Sequence, residues 1–453
     1  MDPWDRSDLI RRVQLALDVA GSALDAAIDD DLATGRDGPR PLEPVPTASE
    51  AQPLRLAKVV TEAAMLARCA AGADDELTQG VLSLARRLIP FAQGESVRAA
   101  LCREPASAFV HATGHVQLRD LGHEDRAIDA LLAEIVGGAD VGGPERLPAQ
   151  ELEADWLRRT WSNDWADGTV DADALRRSCA GRRLDALTSS TQDLYAFTHV
   201  VLYATDMGRR SVVMPCPVAD IAADAEAGLA AAIDADNLDL AAELLWTWPM
   251  LRLPLSPAAA FAFRVLASAQ DAAGFVPGPG FAPGMFESLE GATRDRYVLR
   301  TSYHATFVAG FLCAAMLRNG DRLSPASSAE PGDDREARID LVASLLPARS
   351  RVARWEAAFI GLDERSRDSL GPFLLAIALR RASAANDIGL TRRCLEVAVR
   401  CGLTDGPAVR QALALLRRAT LVARLGDPPA AGPGARRSAA SPAEAHASGR
   451  RTV

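Results

Sequence analysis

Six histidines and a few isolated acids hold most of the chemical potential of this 453-residue chain. The stretch TQDLYAFTHVVLYATDMG places Tyr195, His199 and Asp206 at i, i+4 and i+11 on an otherwise apolar segment. Polar side chains on a buried helix need partners, so this segment holds either a packed hydrogen-bond network or a site. His199 and Asp206 share a face but differ in height by roughly 10 Å on a regular helix, too far for a direct dyad or one metal ion. His199 can instead meet Tyr195 or Tyr203 one turn away, and Asp206 at the helix end should find an arginine or another helix N-terminus. His111 and His115 in FVHATGHVQL also stand at i and i+4, a spacing that lets two imidazoles grip a transition metal. His304 in TSYHATFVAGF is expected to open a helix capped by Thr301 or Ser302, where the dipole would lower its proton affinity. Asp239 and Glu243 form an i, i+4 carboxylate pair that can hold a metal or share a proton, or else face water.

Each of these has a plain structural counterpart: a satisfied core histidine, a capping aspartate, a solvated acidic face. The candidate catalytic set is Tyr195, His199, Asp206 and His304, and the candidate metal pair is His111 and His115. The reaction is not named by any of them. There is no DxDD, no DDxxD, no P-loop, no GxSxG and no dinucleotide GxGxxG. NDWADGTVD imitates a diphosphate-binding motif only loosely, since Gly168 would spoil its helix. The thiol of Cys313 lies among apolar neighbours and reads as inert.

The elements that must position these groups are helices. Ala, Leu, Arg and Asp dominate, aromatics make up 5% of the chain, and no alternating strand pattern is visible. A net charge of −10 excludes an electrostatic footprint for nucleic acid or anionic lipid. Lys58 is the one lysine, the single candidate for Schiff-base chemistry. Seven cysteines without a CxxC pair read as reduced thiols, and together with the absence of a signal peptide or a bilayer-length apolar run they suggest a cytoplasmic protein.

The expected organisation is an N-terminal helix within 1–34, a Pro-rich linker over 35–53, a helical domain over 54–425 and a disordered tail over 426–453. The first helix either docks back on the body or projects toward a partner protein. Helices are expected at about 54–71, 75–91, 94–103, 123–136 and 148–161, with a weaker one near 171–180. The central helix has Ser189 and Ser190 available as N-caps and Gly208 as a left-handed stop. Further helices follow at about 217–235, 237–248, 256–273, 303–318, 334–346, 351–360, 366–386, 388–402 and 406–424.

Leu266, Gln270, Gly274 and Phe275 form a piece that resembles the Q-x-x-x-G-x-[FW] turn of terpenoid-cyclase-type α/α toroids. That resemblance implies an all-α fold of helical hairpins, closed or stacked as an array, with inner-helix N-termini around a cavity mouth. The central T-H-x-x-x-Y-x-T-D-x-G is similar to a signature of an uncharacterised, actinobacterial-type bacterial family associated with natural-product gene clusters. It implies an accessory or tailoring protein of secondary metabolism, with a His/Tyr/Asp-lined cavity and room for a transition metal. The alternative is a non-catalytic helical-repeat scaffold for a peptide, a carrier protein or a partner enzyme. Histidines that converge from different helices would separate the first reading from the second.

Overall fold

The computed structural model describes residues 5–34, 53–138, 143, 145–165, 170–319, 336–346 and 353–426. These form helices and connecting turns, with no strand among the described residues. The expected linker, apart from Pro53, and the expected tail, apart from Gly426, lie outside them.

The helix Gly291–Asn319 is the axis of the molecule. Every side chain from Ala305 to Leu317 is buried, so this half is apolar all round, as a helix enclosed by others must be. Around it pack the helices Arg6–Thr34, Leu56–Ala70, Leu238–Leu245 and Thr247–Met250. Its first three turns pass from exposed to half-buried and are mostly polar. The helix therefore begins at Gly291, not near 303, and His304 lies in its interior. His304 is therefore far from the N-terminus of its own helix, which removes the expected dipole effect on its proton affinity.

The N-terminal helix docks on the body along the length of this axis, using Leu9, Val13, Ala16, Leu17, Ala20 and Leu24. A Cβ on Gly310 would lie 2.4 Å from the Cβ of Ala16, so the two backbones approach at a point only glycine permits. Polar ties fix the ends of this contact. Arg12 donates to Asp8, Gln270 and Asp271, and Arg300 pairs with Asp30 at 2.7 Å. Gln270 of the toroid-like turn thus braces the first helix, and Gly274 closes its own helix at φ +79°.

A second layer holds Val218–Asp234 against Gly371–Ala384, with Ile388–Cys401 and Pro407–Gly426 following. Between them lies a cavity of about 260 Å³ lined by Glu226, Phe373, Leu403 and mostly small or apolar residues; it contains no histidine. Pro90 sits inside the helix Thr78–Ala92 in its last turn, where its missing N–H costs a single backbone bond.

Candidate functional site

The helix Thr191–Ala204 starts on a capping box: Ser190 accepts from the Asp193 amide and Asp193 accepts from the Ser190 amide. Its first two turns present Tyr195, Thr198 and His199 toward the helix Leu238–Leu245, which carries Asp239 and Glu243 one turn apart on one face. Leu56–Ala70 contributes Glu62, and the axial helix contributes Tyr303 and His304. Five ionisable side chains from four helices therefore meet: Glu62, His199, Asp239, Glu243 and His304.

Their contacts are specific. The Tyr195 hydroxyl donates to Asp239 Oδ2 at 2.7 Å, and the Thr198 hydroxyl donates to Glu243 Oε2 at 2.5 Å. His304 Nε2 lies 3.7 Å from Asp239 Oδ1 and 4.0 Å from Glu243 Oε1. Its Nδ1 lies 3.2 Å from Glu62 Oε2, near enough for an ion pair but off the line of a good hydrogen bond. His199 Nε2 approaches Glu243 Oε2 at 3.6 Å. Both histidines thus reach the same carboxyl group from different helices.

The hollow is reached by solvent. Asp239 and Glu243 keep 5% and 2% of their side-chain surface, whereas His199 and His304 keep 44% and 37% although protein atoms crowd around them. Accessible imidazoles above buried carboxyl groups describe a cleft with an acidic floor. Asp239 Oδ1, Glu62 Oε2 and His304 Nδ1 are buried and have no hydrogen-bond partner, an uncommon condition for a packed core.

The charges respond to this crowding. Burial and the neighbouring Asp239 carboxylate push the Glu243 carboxyl well above the usual carboxylate range. Burial opposes a charge on His304, yet the approach of Glu62, with Asp239 and Glu243, outweighs it and raises the imidazole to about 9. Burial, reinforced by the His304 charge, lowers His199 to about 4, so it is a neutral imidazole near pH 7. Glu62 is raised by burial but lowered further by His304, and the net direction is down. Tyr195 and Tyr303 are both pushed upward by burial, then by Asp239 and by Glu62 respectively, so both stay protonated donors.

Of the candidate catalytic residues, Tyr195, His199 and His304 come together and Asp206 does not. The helix ends at Ala204, and Asp206, Met207 and Gly208 then follow with φ of 48°, 57° and 77°. This left-handed turn swings Asp206 off the stripe that spacing had given it. Its carboxylate takes a bidentate grip from Arg68 at 2.8 and 3.0 Å, and Trp156 Nε1 donates at 2.8 Å. Burial pushes that carboxyl up, but the Arg68 charge and hydrogen bonds dominate and hold it below its ordinary value. Asp206 is a structural anchor.

His111 and His115 do not converge either. The chain breaks at Ala112, where the Thr113 hydroxyl bonds back to the carbonyls of Phe109 and Val110. His111 then pairs with Glu104 at 2.9 Å near the surface. His115 is fully buried with both ring nitrogens occupied, by Gln93 at 3.2 Å and Asp129 at 3.1 Å. With its lone pairs and N–H spent, His115 cannot ligate. Among the described residues, the group whose donor atoms converge on one point is Asp239, Glu243 and His304, all within 4.8 Å of one another.

Glu62 and Thr198 were missed by the spacing argument. Thr198 sits beside His199, and its neighbourhood to Glu243 exists only through packing. Glu62 follows Lys58 at i+4 and reads locally as half of a surface ion pair, which it also makes at 3.6 Å. Nothing in its own helix marks it as facing His304.

No described helix is long and apolar enough to cross a membrane. No curated protein and no solved structure matches the chain. A family model described as "Domain of unknown function (DUF6895)" matches residues 32–314, a span that includes Glu62, Tyr195, Thr198, His199, Asp239, Glu243 and His304. With more than half of its length so matched, the chain belongs to the DUF6895 family.

Proposed function

We propose that this protein is a tailoring enzyme of bacterial secondary metabolism, acting in the cytoplasm on a small molecule held in the acidic cleft. The observation that carries the reading is the meeting of Glu62, His199, Asp239, Glu243 and His304 beside solvent, with buried polar atoms left unmet. Groups that are costly to bury and incompletely paired are characteristic of working sites, where a substrate or cofactor completes them. In this reading His199, neutral near pH 7, accepts a proton, while Tyr195 and Thr198 hold the carboxyl groups in place. The resemblance of T-H-x-x-x-Y-x-T-D-x-G to an actinobacterial-type signature supplies the metabolic setting. Sequential helix pairs that pack on each other, such as Leu56–Ala70 with Thr78–Ala92, support reading the array as α/α hairpins, with a toroid as its closed form.

The test is a comparison of metabolite profiles. A cell whose native copy carries both His199→Ala and His304→Ala should lose the product that the wild-type chain helps to make. A wild-type profile, with the variant folded and expressed, would overturn the reading and favour a scaffold whose histidines do no chemistry.

A further inference from the structure

The floor of the cleft has an order that acid–base chemistry alone does not require. Two carboxyl groups each have one oxygen held from outside and the other turned inward, and an imidazole has one nitrogen faced by a carboxylate and the other turned inward. Asp239 is held through Oδ2 by Tyr195 and turns Oδ1 inward. Glu243 is held through Oε2 by Thr198 and turns Oε1 inward. His304 is faced at Nδ1 by Glu62 and turns Nε2 inward, toward both of those oxygens. Metal sites are built in this way: an outer carboxylate fixes the tautomer of a ligating imidazole, and outer hydroxyls orient ligating carboxylates.

We propose that Asp239 Oδ1, Glu243 Oε1 and His304 Nε2 are the ligands of one divalent first-row transition-metal ion, with Glu62, Tyr195 and Thr198 as positioning residues. The inference names the cofactor of the cleft and rests on reading that cleft as the working site.

Distance is the first argument. Ligand atoms about 2.1 Å from an ion can stand at most ~4.2 Å apart, on opposite sides of it. The separations of 3.7 and 4.0 Å from His304 Nε2 fall inside that limit. The full spread of up to 4.8 Å asks for an inward movement of a few tenths of an ångström. An unmet atom is the second. Asp239 is 95% buried by side-chain surface, and its Oδ1 has no hydrogen-bond partner. Left bare, such an oxygen has lost its hydration and gained no hydrogen bond in exchange, a cost that grows if it is charged. Charge is the third. Glu62, Asp239 and Glu243 share a space in which His304 is the one histidine close to all three, and the chain's one lysine, Lys58, reaches only Glu62 and is half exposed. A divalent cation neutralises two of those carboxylates and leaves the imidazole neutral, as ligation demands. The donor set of two carboxylates and one imidazole suits manganese, iron, cobalt or zinc; it contains no thiolate for a softer ion.

The experiment uses the full chain, stripped with a chelator and dialysed against Co²⁺ or Mn²⁺ at micromolar free concentration. The expected result is one equivalent bound per chain, weakened at least 10-fold by Asp239→Asn or His304→Ala and unchanged by His115→Ala. Retention of wild-type affinity in both ligand variants would overturn the proposal. So would the absence of stoichiometric binding by the wild type, which is the outcome for a cluster held only by a charged His304. If a ligand variant fails to fold, the Co²⁺-loaded wild type decides. It should show one exchangeable, hyperfine-shifted imidazole N–H proton, from His304 Nδ1 beside Glu62, and the lack of that signal overturns the assignment. The two readings fail separately. Bound metal with an unchanged metabolite profile removes the enzyme and keeps the site, whereas a lost product without bound metal removes the site and keeps the enzyme.

Discussion

The two ends of the helix Thr191–Ala204 each meet buried charge, and they treat it in opposite ways. Beyond its C-terminus, Asp206 has Arg68 across both oxygens and Trp156 on one of them, and Arg68 has Asp120 at 2.7 Å as well. Near its N-terminus, Asp239 and Glu243 each have one hydroxyl donor and one oxygen turned toward His304, and Asp239 Oδ1 has no hydrogen bond. The first cluster has the opposite charge and the hydrogen bonds that justify its burial. The second sets one imidazole against three carboxyl groups and leaves Asp239 Oδ1, Glu62 Oε2 and His304 Nδ1 without a hydrogen bond. A buried polar residue on an apolar helix therefore says little by itself; the valence left over is what separates an anchor from a site.

That contrast is open to attack, first at the anchor. Arg68→Met leaves buried Asp206 with only the part-exposed Arg210, 3.6 Å away, as a close counter-charge, which should cost about 3–5 kcal/mol of unfolding free energy in urea titrations. A loss under 1 kcal/mol would mean that the Arg68–Asp206 pair holds little. Acid should act on the same pair. Asp206 has a folded pKa below its ordinary 3.8, so its contribution is complete above that value and disappears as pH falls through the lower, folded one. Melting temperature measured from pH 5 down to pH 2 should fall steeply in the wild type and more gently in Arg68→Met, where the linkage is gone.

Effects at the other end should be read in binding more than in stability. Tyr195→Phe removes the hydroxyl that orients Asp239 and should weaken Co²⁺ binding by about 10–100-fold. Glu243→Gln keeps shape and removes a charge that burial already disfavours. Its melting temperature without metal should match or exceed the wild type, and a large destabilisation would show this end to be an anchor too. The smallest effect belongs to His111→Ala. Its pair with Glu104 is partly exposed, so stability should shift by no more than about 0.5–1 kcal/mol and metal affinity not at all.

Parts of this arrangement can be read in the linear chain. Ser190 and Asp193 announce the start of the central helix, Tyr195 and His199 share its polar stripe, and the Asp239–Glu243 spacing fixes two carboxyl groups to one face. The all-α class follows from composition and pattern. Other parts have no local mark. The opening of the axial helix, GATRDRYVLR, has no fully buried residue and few apolar ones, so hydrophobic period gives no sign of it and His304 reads as a helix start. Asp206 left its stripe because three successive residues turn left-handed, a conformation that residue type signals only at Gly208. The spacing of His111 and His115 assumed one continuous helix, and a break at Ala112 undid it. Glu62 joins the cleft through a contact more than two hundred residues away in sequence, where spacing along one helix carries no information.

The contact between Gly310 and Ala16 reaches further than packing. Gly310 stands six residues after His304 on the same helix, so the close seat of Ala16 helps fix where the helix that carries the imidazole lies. The stretch matched by the family begins at residue 32 and so omits nearly all of the first helix. A fragment trimmed to that boundary keeps every donor atom of the cleft yet gives up the wedge that holds one of them in register.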